Sequence, residues 1–310
     1  MGKTLSKVLE TYKNRRTGRV FYSLLYNKLG LSHETCRALT FLFKRILFPV
    51  QYFKRKFAFI RLGRPIKSER IDERKGFKRT DFLKLPYGDE ALNACKKIIK
   101  EKNISSLLEE SSKNRLSKPW MTNVLEEEDF LSFPEIIKFA SSSQVLSIVS
   151  TYLGTVPIIG DIRLWVSAKN DKVESSQELH IDQEDYRQVK LFLYIEDVSS
   201  SQGPLSFFPA SKRDCIFKIA QDPFNRVHDY EIDKDFLEKE IIEFSGNEGD
   251  IVFIDTARCF HFGSRVREGR RITLMIPYLR FHSMREASRE YLSKDLLNKF
   301  QLNSTSKLLI

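Results

Sequence analysis

Leu179-His180-Ile181-Asp182 is the stretch on which the reading of this chain turns. On a β-strand, residues i and i+2 share a face, so His180 and Asp182 aim an imidazole and a carboxylate at one point. Those are two of the three ligands of a 2-His-1-carboxylate facial triad, the arrangement that leaves positions open on Fe(II). The same two residues at this spacing also occur as an ordinary surface pair. The reading therefore depends on what else the chain supplies.

Downstream, His261 follows a run that opens Gly249-Asp250-Ile251-Val252-Phe253, and it is the third candidate ligand. Arg271 and Thr273 come next, spaced to put a guanidinium and a hydroxyl on one strand face. Together they suit the distal carboxylate of a dicarboxylic acid, which a guanidinium grips through two parallel hydrogen bonds. Arg270 competes for that role. Thr273 favours Arg271, and Arg270 then reads as a solvated charge at the strand start. Lys190 either faces the interior as a second anion contact or faces solvent. His33, His228 and His282 have no partners at metal-ligand spacing and read as structural or surface residues. Trp120 reads as core, and Trp165 lies on a strand bordering the expected cavity.

Around these residues the texture changes from helical to extended. Helical periodicity is clear over 89–102, where Leu92, Cys95 and Ile99 share a stripe. Pro134 suits the first position of a helix over 135–140. Ser143 suits the cap of the next helix, which runs to Leu153 and ends at Gly154. After Gly154 come short apolar runs at 158–168, 189–195, 205–208, 251–254 and 272–279, separated by turn clusters at 199–203 and 246–249. Helices first and strands second predict an α-flanked β-sandwich or barrel, not alternating βαβ units. Residues 66–79 read as a linker or surface loop.

At this point the chain, from about residue 158 to 280, resembles the phytanoyl-CoA dioxygenase family of Fe(II)- and 2-oxoglutarate-dependent oxygenases. Four passages carry the resemblance: Ser176 through Asp182, Lys190 through Val198, Gln202-Gly203-Pro204-Leu205 with Pro209-Ala210-Ser211-Lys212, and Gly249-Asp250 through His261 to Arg271. The resemblance implies an α+β, mainly β fold: a double-stranded β-helix, or jelly roll, with flanking helices. It implies Fe(II) held by His180, Asp182 and His261, 2-oxoglutarate held by an arginine after the distal histidine, and O2 as co-reactant. Ala210 and Lys212 depart from the family's usual turn without touching the metal ligands, and the gap from His261 to the arginine is slightly short. Halogenating relatives lack the carboxylate ligand, so Asp182 points to hydroxylation or a related oxidation; the expected substrate is a small molecule or a lipid-like one. The residues themselves leave two other readings open: an inactive jelly-roll scaffold, or a cupin-like metalloenzyme that does not use 2-oxoglutarate and has no need of Arg271. The rim of the expected site falls to the loops at 170–177 and 210–235.

The bulk numbers divide the chain. Of 52 Lys and Arg and 41 Asp and Glu in 310 residues, residues 1–66 hold 15 bases and 2 acids, leaving 37 bases and 39 acids for residues 67–310. The basic character belongs to the N-terminal segment, which argues against nucleic acid as the partner of the whole protein. The division expected is a basic, aromatic-rich, helical segment over 1–66 and a jelly-roll oxygenase domain over 67–310. Between Phe41 and Phe59 seven aromatics interleave with five bases. Three readings suit that pattern: peripheral contact with a membrane surface, a helix packed on the jelly roll with its bases in solvent, or contact with an acidic protein or nucleic acid. Ser32 suits the cap of a helix toward Phe48, with Pro49 stopping or kinking it. Cys36, Cys95, Cys215 and Cys259 are scattered and read as reduced thiols of a cytoplasmic protein. The first 30 residues lack the apolar core of a signal peptide.

Overall fold

The computed structural model describes residues 20–113, 120–170, 173, 175–219, 226–282, 300 and 305–309. These described residues form ten strands: β1 (Phe77–Asp81), β2 (Met121–Asn123), β3 (Ile158–Ile159), β4 (Arg163–Ala168), β5 (Val189–Tyr194), β6 (Leu205–Phe207), β7 (Ile242–Phe244), β8 (Asp250–Ile254), β9 (His261–Phe262) and β10 (Arg270–Leu279). They build two antiparallel sheets. The larger runs β1-β8-β5-β10-β4-β2, with β3 also paired to β10, and the smaller runs β7-β6-β9.

Period-two alternation sorts the larger sheet into two faces. Leu164 and Val166 of β4, Leu191 and Leu193 of β5, Ile251 and Phe253 of β8, and Ile272, Leu274 and Ile276 of β10 are buried in the core that they share with the helices. Those helices are Gly88–Glu101, Glu135–Ala140 and Ser143–Leu153, which contribute among others Leu92, Ile136 and Val149. The intervening residues point the other way. Arg163 and Trp165 of β4, Lys190 and Phe192 of β5, and Arg271, Met275 and Pro277 of β10 line a cavity. Beside it, Tyr194, Val252 and Ile254 pack on Leu205, Phe207 and Phe244 of the smaller sheet. The order is thus helices, large sheet, small sheet, with the cavity between the sheets.

Several expectations change in detail. The run at 158–168 is two strands broken at Gly160, where a Cβ would come within 2.9 Å of the Pro277 ring and the amide donates to Pro277 O at 2.7 Å. Residues 66–79 are not wholly loop: β1 begins at Phe77 and pairs along β8, Lys78 opposite Phe253. Its Lys, Arg, Thr and Asp hide the strand signal, and pairing to a buried neighbour overrides local propensity. The helix Ser143–Leu153 has extended Ser142 at its N-cap position, one residue earlier than expected and with no side-chain cap hydrogen bond, and Gly154 ends it at φ 69°. The rim segment 210–235 is partly helical, over Arg213–Ile219 and from Lys234. Residues 171, 172, 174 and 220–225 of the expected rim lie outside the described residues.

In the N-terminal segment, Ser32 Oγ accepts from Thr35 N at 3.3 Å to open His33–Leu47, and Pro49 opens a second helix, Pro49–Leu62, where its missing amide costs nothing. This pair rests on the body. Arg55 donates to Pro157 O at 2.8 Å, Ser147 Oγ to Gly63 O at 3.0 Å, and Phe41 packs edge-on against Tyr186. Among the described residues, no helix is long and apolar enough to cross a membrane.

Candidate metal centre

A two-residue antiparallel bridge closes the long sequence gap between the candidate ligands. His180 N donates to His261 O at 3.0 Å and His261 N to His180 O at 2.8 Å. Residues directly opposite in such a pair put their side chains on one face, and the two imidazole rings lie 4.4 Å apart. Asp182, two residues on, is tied by its amide to Thr256 O at 2.8 Å and turns its carboxylate to the same point. Its Oδ2 lies 3.6 Å from His261 Nε2, and Oδ1 lies 3.9 Å from His180 Nε2. One ligand atom from each of the three falls within 4.8 Å of the others.

The protonation states suit a divalent cation. His180 Nδ1 sits 2.8 Å from Glu178 O and His261 Nδ1 3.0 Å from Cys259 O. A carbonyl only accepts, so each Nδ1 carries the proton and each Nε2 lone pair faces the cluster. Burial, and then the neighbouring His261, push His180 down to about 3. Burial also lowers His261, against the opposing pull of Asp182. Both rings are therefore neutral near pH 7, the form that binds metal. Burial alone would raise Asp182, but Lys190 and the two histidines outweigh it and hold the carboxyl far below its usual range. Lys190 Nζ lies 2.6 Å from Asp182 Oδ2, and that charge overcomes the effect of burial and raises the ammonium. Lys190 thus faces the interior, where its contact is the ligand carboxylate.

Across the cavity stands Arg271. It is buried, donating from Nη1 to Gly203 O at 2.7 Å and from Nη2 to Ser264 Oγ at 2.6 Å. Both acceptors are neutral. Among the described residues its Nε has no partner, nor does the buried Oγ1 of Thr273. Gly263 leaves room for the guanidinium, since a Cβ there would lie 3.1 Å from Nη1. A buried guanidinium with an unused donor and no carboxylate partner among the described residues fits an anionic ligand arriving from the cavity. Arg270 points outward and pairs through Nε with Glu196 Oε2 at 3.1 Å.

Sequence reasoning missed the residues that hold Asp182 in place. Buried Gln188 donates from Nε2 to Asp182 Oδ2 at 3.2 Å and to Thr256 Oγ1 at 2.7 Å. Its amide and the Tyr152 hydroxyl donate to Asp255, whose carboxyl is pushed up to about 6 by burial. The available signal was a polar residue flush against an apolar run, at Gln188 before β5 and at Asp255 after β8. Trp165 and Trp120 fall where expected, on the cavity wall and buried, and His228 is half-exposed with Nδ1 3.0 Å from Glu178 Oε1.

No family model matches the chain, and no curated protein matches it. Similar solved structures include the epimerase SnoN in complex with Fe3+, alpha ketoglutarate and nogalamycin RO, at 13% identity over 76% of this chain and 90% of that one, TM-score 0.45. The alpha ketoglutarate dependent carbocyclase SnoK is 12% identical over 70% of this chain and 84% of that one, TM-score 0.43. EctD from S. alaskensis with bound Fe is 13% identical over 70% and 76%, TM-score 0.44. Likeness this distant carries no chemistry to this chain, which rests on the side chains of the site.

Proposed function

We propose that this chain is an Fe(II)- and 2-oxoglutarate-dependent oxygenase of the phytanoyl-CoA dioxygenase type, its two sheets wound as a jelly roll. One observation carries the reading: three ligand atoms of a facial triad and an unsatisfied buried guanidinium face one cavity. His180, Asp182 and His261 would hold Fe(II) from one side and leave the other side open. Arg271, with Thr273 beside it on the strand, would take the distal carboxylate of 2-oxoglutarate. When bound, Fe(II) with 2-oxoglutarate and O2 supplies an oxidant able to break an unactivated C–H bond, giving succinate, CO2 and hydroxylated product.

The chain's own share is placement and exclusion of water. Gln188 and Lys190 fix the Asp182 carboxylate, and the Nδ1 contacts to Glu178 O and Cys259 O fix both imidazoles. The cavity holds about 310 Å³, at the lower end for small-molecule sites. Beyond the cosubstrate, its walls are Trp165, Phe192, Met275, Pro277 and Leu279 with Arg163 and Asp161. Such a space suits a small molecule, or the reacting end of a longer lipid-like one. The intact cluster weighs against an inactive scaffold, and Arg271 weighs against a metalloenzyme that does without 2-oxoglutarate.

The test is anaerobic titration with Fe(II) and then 2-oxoglutarate. The expected result is about one Fe(II) per chain and, on adding cosubstrate, the visible charge-transfer band of chelated 2-oxoglutarate. His180→Ala, Asp182→Ala and His261→Ala should each lose iron retention while keeping the wild-type circular dichroism. Iron held as tightly by all three variants as by the parent chain would remove these residues from the centre.

A further inference from the structure

The N-terminal helices carry an apolar stripe on their outward side. Among the described residues, 13 of the 18 exposed large apolar side chains lie between Val20 and Ile66. Leu42 and Ile46 on His33–Leu47, and Val50, Phe53, Phe57 and Ile60 on Pro49–Leu62, are each more than half exposed. Their spacings of three and four residues make a stripe along each helix. The inner side is apolar as well, with Cys36 and Phe41 buried and Ala58, Phe59 and Leu62 packed on the core, beside buried Arg37, Thr40, Lys44 and Arg55. A helix that faces water keeps its apolar stripe inside and its charges outside, so the second, outward stripe is surplus to packing on the body. Contiguous exposed apolar surface of this kind marks a docking surface.

Charge selects the occupant. From Thr35 to Ile66 the chain has eight Lys and Arg and no acid. Lys54, Arg61 and Arg64 are exposed beside the outward stripe, where their stems can lie along apolar surface and their charges reach past it. A second copy of the chain docked here would set two acid-free basic faces against each other, with no group to answer the charge. We propose that this helix pair is an interfacial docking surface for an anionic lipid bilayer. The apolar stripe enters the boundary between headgroups and acyl chains, the three bases meet lipid phosphates, and the inner side of the pair stays on the protein.

Co-sedimentation of the full chain tests this, with vesicles of phosphatidylcholine alone and of phosphatidylcholine with phosphatidylglycerol. The chain should bind the anionic vesicles, bind the neutral ones far less, and be released as salt rises. Lys54→Gln with Arg61→Gln should weaken partition roughly 25-fold, about fivefold for each base near an anionic surface. Phe57→Asp with Ile60→Asp should weaken it about tenfold or more. Both positions are open to solvent, so an unchanged thermal melt is expected. Phe57→Trp adds a neutral probe whose emission should shift to the blue on anionic vesicles. Three results would overturn the proposal: a wild-type chain left in the supernatant at low salt, an aspartate pair that binds as well as wild type, or a Phe57→Trp emission unmoved by vesicles. Light scattering adds a fourth, a wild-type dimer that the aspartate pair converts to monomer, which would assign the face to a second copy.

Discussion

The two ends of β10 each bury an arginine, and they treat it in opposite ways. At the far end, Arg280 Nε donates to Asp185 Oδ2 at 2.8 Å and Nη2 reaches Oδ1, a two-point ion pair with both side chains sealed from water. Phe41 and Tyr186 cover the guanidinium, at 3.7 and 4.0 Å from their ring centres. At the near end, among the described residues, Arg271 has only a carbonyl and a hydroxyl, and its Nε has no partner. Burial raises the cost of the charge at both ends, but an acid offsets that cost only at Arg280, so Arg280 is raised and Arg271 lowered. A buried charge answered from within the chain is architecture. One left unanswered beside a cavity, as at Arg271, is what the proposed cosubstrate site would use.

The largest expected effect breaks the Arg280 end. Removing one partner of a buried ion pair leaves the other uncompensated, at a cost of about 3–5 kcal/mol. Arg280→Ala and Asp185→Ala should each lower unfolding free energy by that order in urea denaturation. Arg271→Met, which removes a charge that has no acid to leave behind, should change it by less than about 1–2 kcal/mol. Equal destabilisation at both ends would erase the distinction.

Cosubstrate binding should reverse the ranking. Arg271→Met should weaken 2-oxoglutarate binding to the iron-loaded chain by about 2–5 kcal/mol, the usual cost of losing one side of a buried charge-assisted contact. Titration of the charge-transfer band reads this directly, while iron retention should not change. A variant that binds 2-oxoglutarate as tightly as the parent would return Arg271 to architecture and pass the carboxylate contact to another residue.

How much of this was legible follows from the range over which each feature is decided. Apolar runs announced β5, β8 and most of β10 because one face of each is buried in the core and the other face adds apolar residues such as Phe192, Val252 and Met275. The spacing in Leu179-His180-Ile181-Asp182 announced a shared face because alternation is a local property. His261 was recoverable only through the order of the four passages, since the bridge that sets it opposite His180 is made in three dimensions. β1 was hidden by its polar composition, and β2, β7 and β9 by their shortness, two or three residues each. Gln188 looked like any polar residue beside a strand; its place at Asp182 depends on Thr256, 68 residues away. The N-terminal helix pair was half legible. Its bases and aromatics stood out in the sequence, but which of them face the body is settled by Arg55 reaching Pro157 and by Phe41 meeting Tyr186.

The smallest expected effect is the control that sharpens the comparison. Arg270 is the sequence neighbour of Arg271 and carries the same charge, yet alternation places it on the opposite face of β10. There it pairs with Glu196, with 45% and 36% of the two side chains exposed. Solvent screens such a pair, and ordering two long side chains costs entropy, so its net worth is about 0–1 kcal/mol. Arg270→Ala should therefore leave 2-oxoglutarate affinity unchanged and lower stability by no more than that, with the loss shrinking as salt is added. The parent chain, Arg270→Ala and Arg271→Met should be titrated side by side. If Arg270→Ala weakened 2-oxoglutarate binding as much as Arg271→Met, the effect would be the loss of positive charge near the strand start, and the directed contact from Arg271 would fall. If only Arg271→Met did so, a one-residue step along β10 would separate a surface charge from a ligand-binding one.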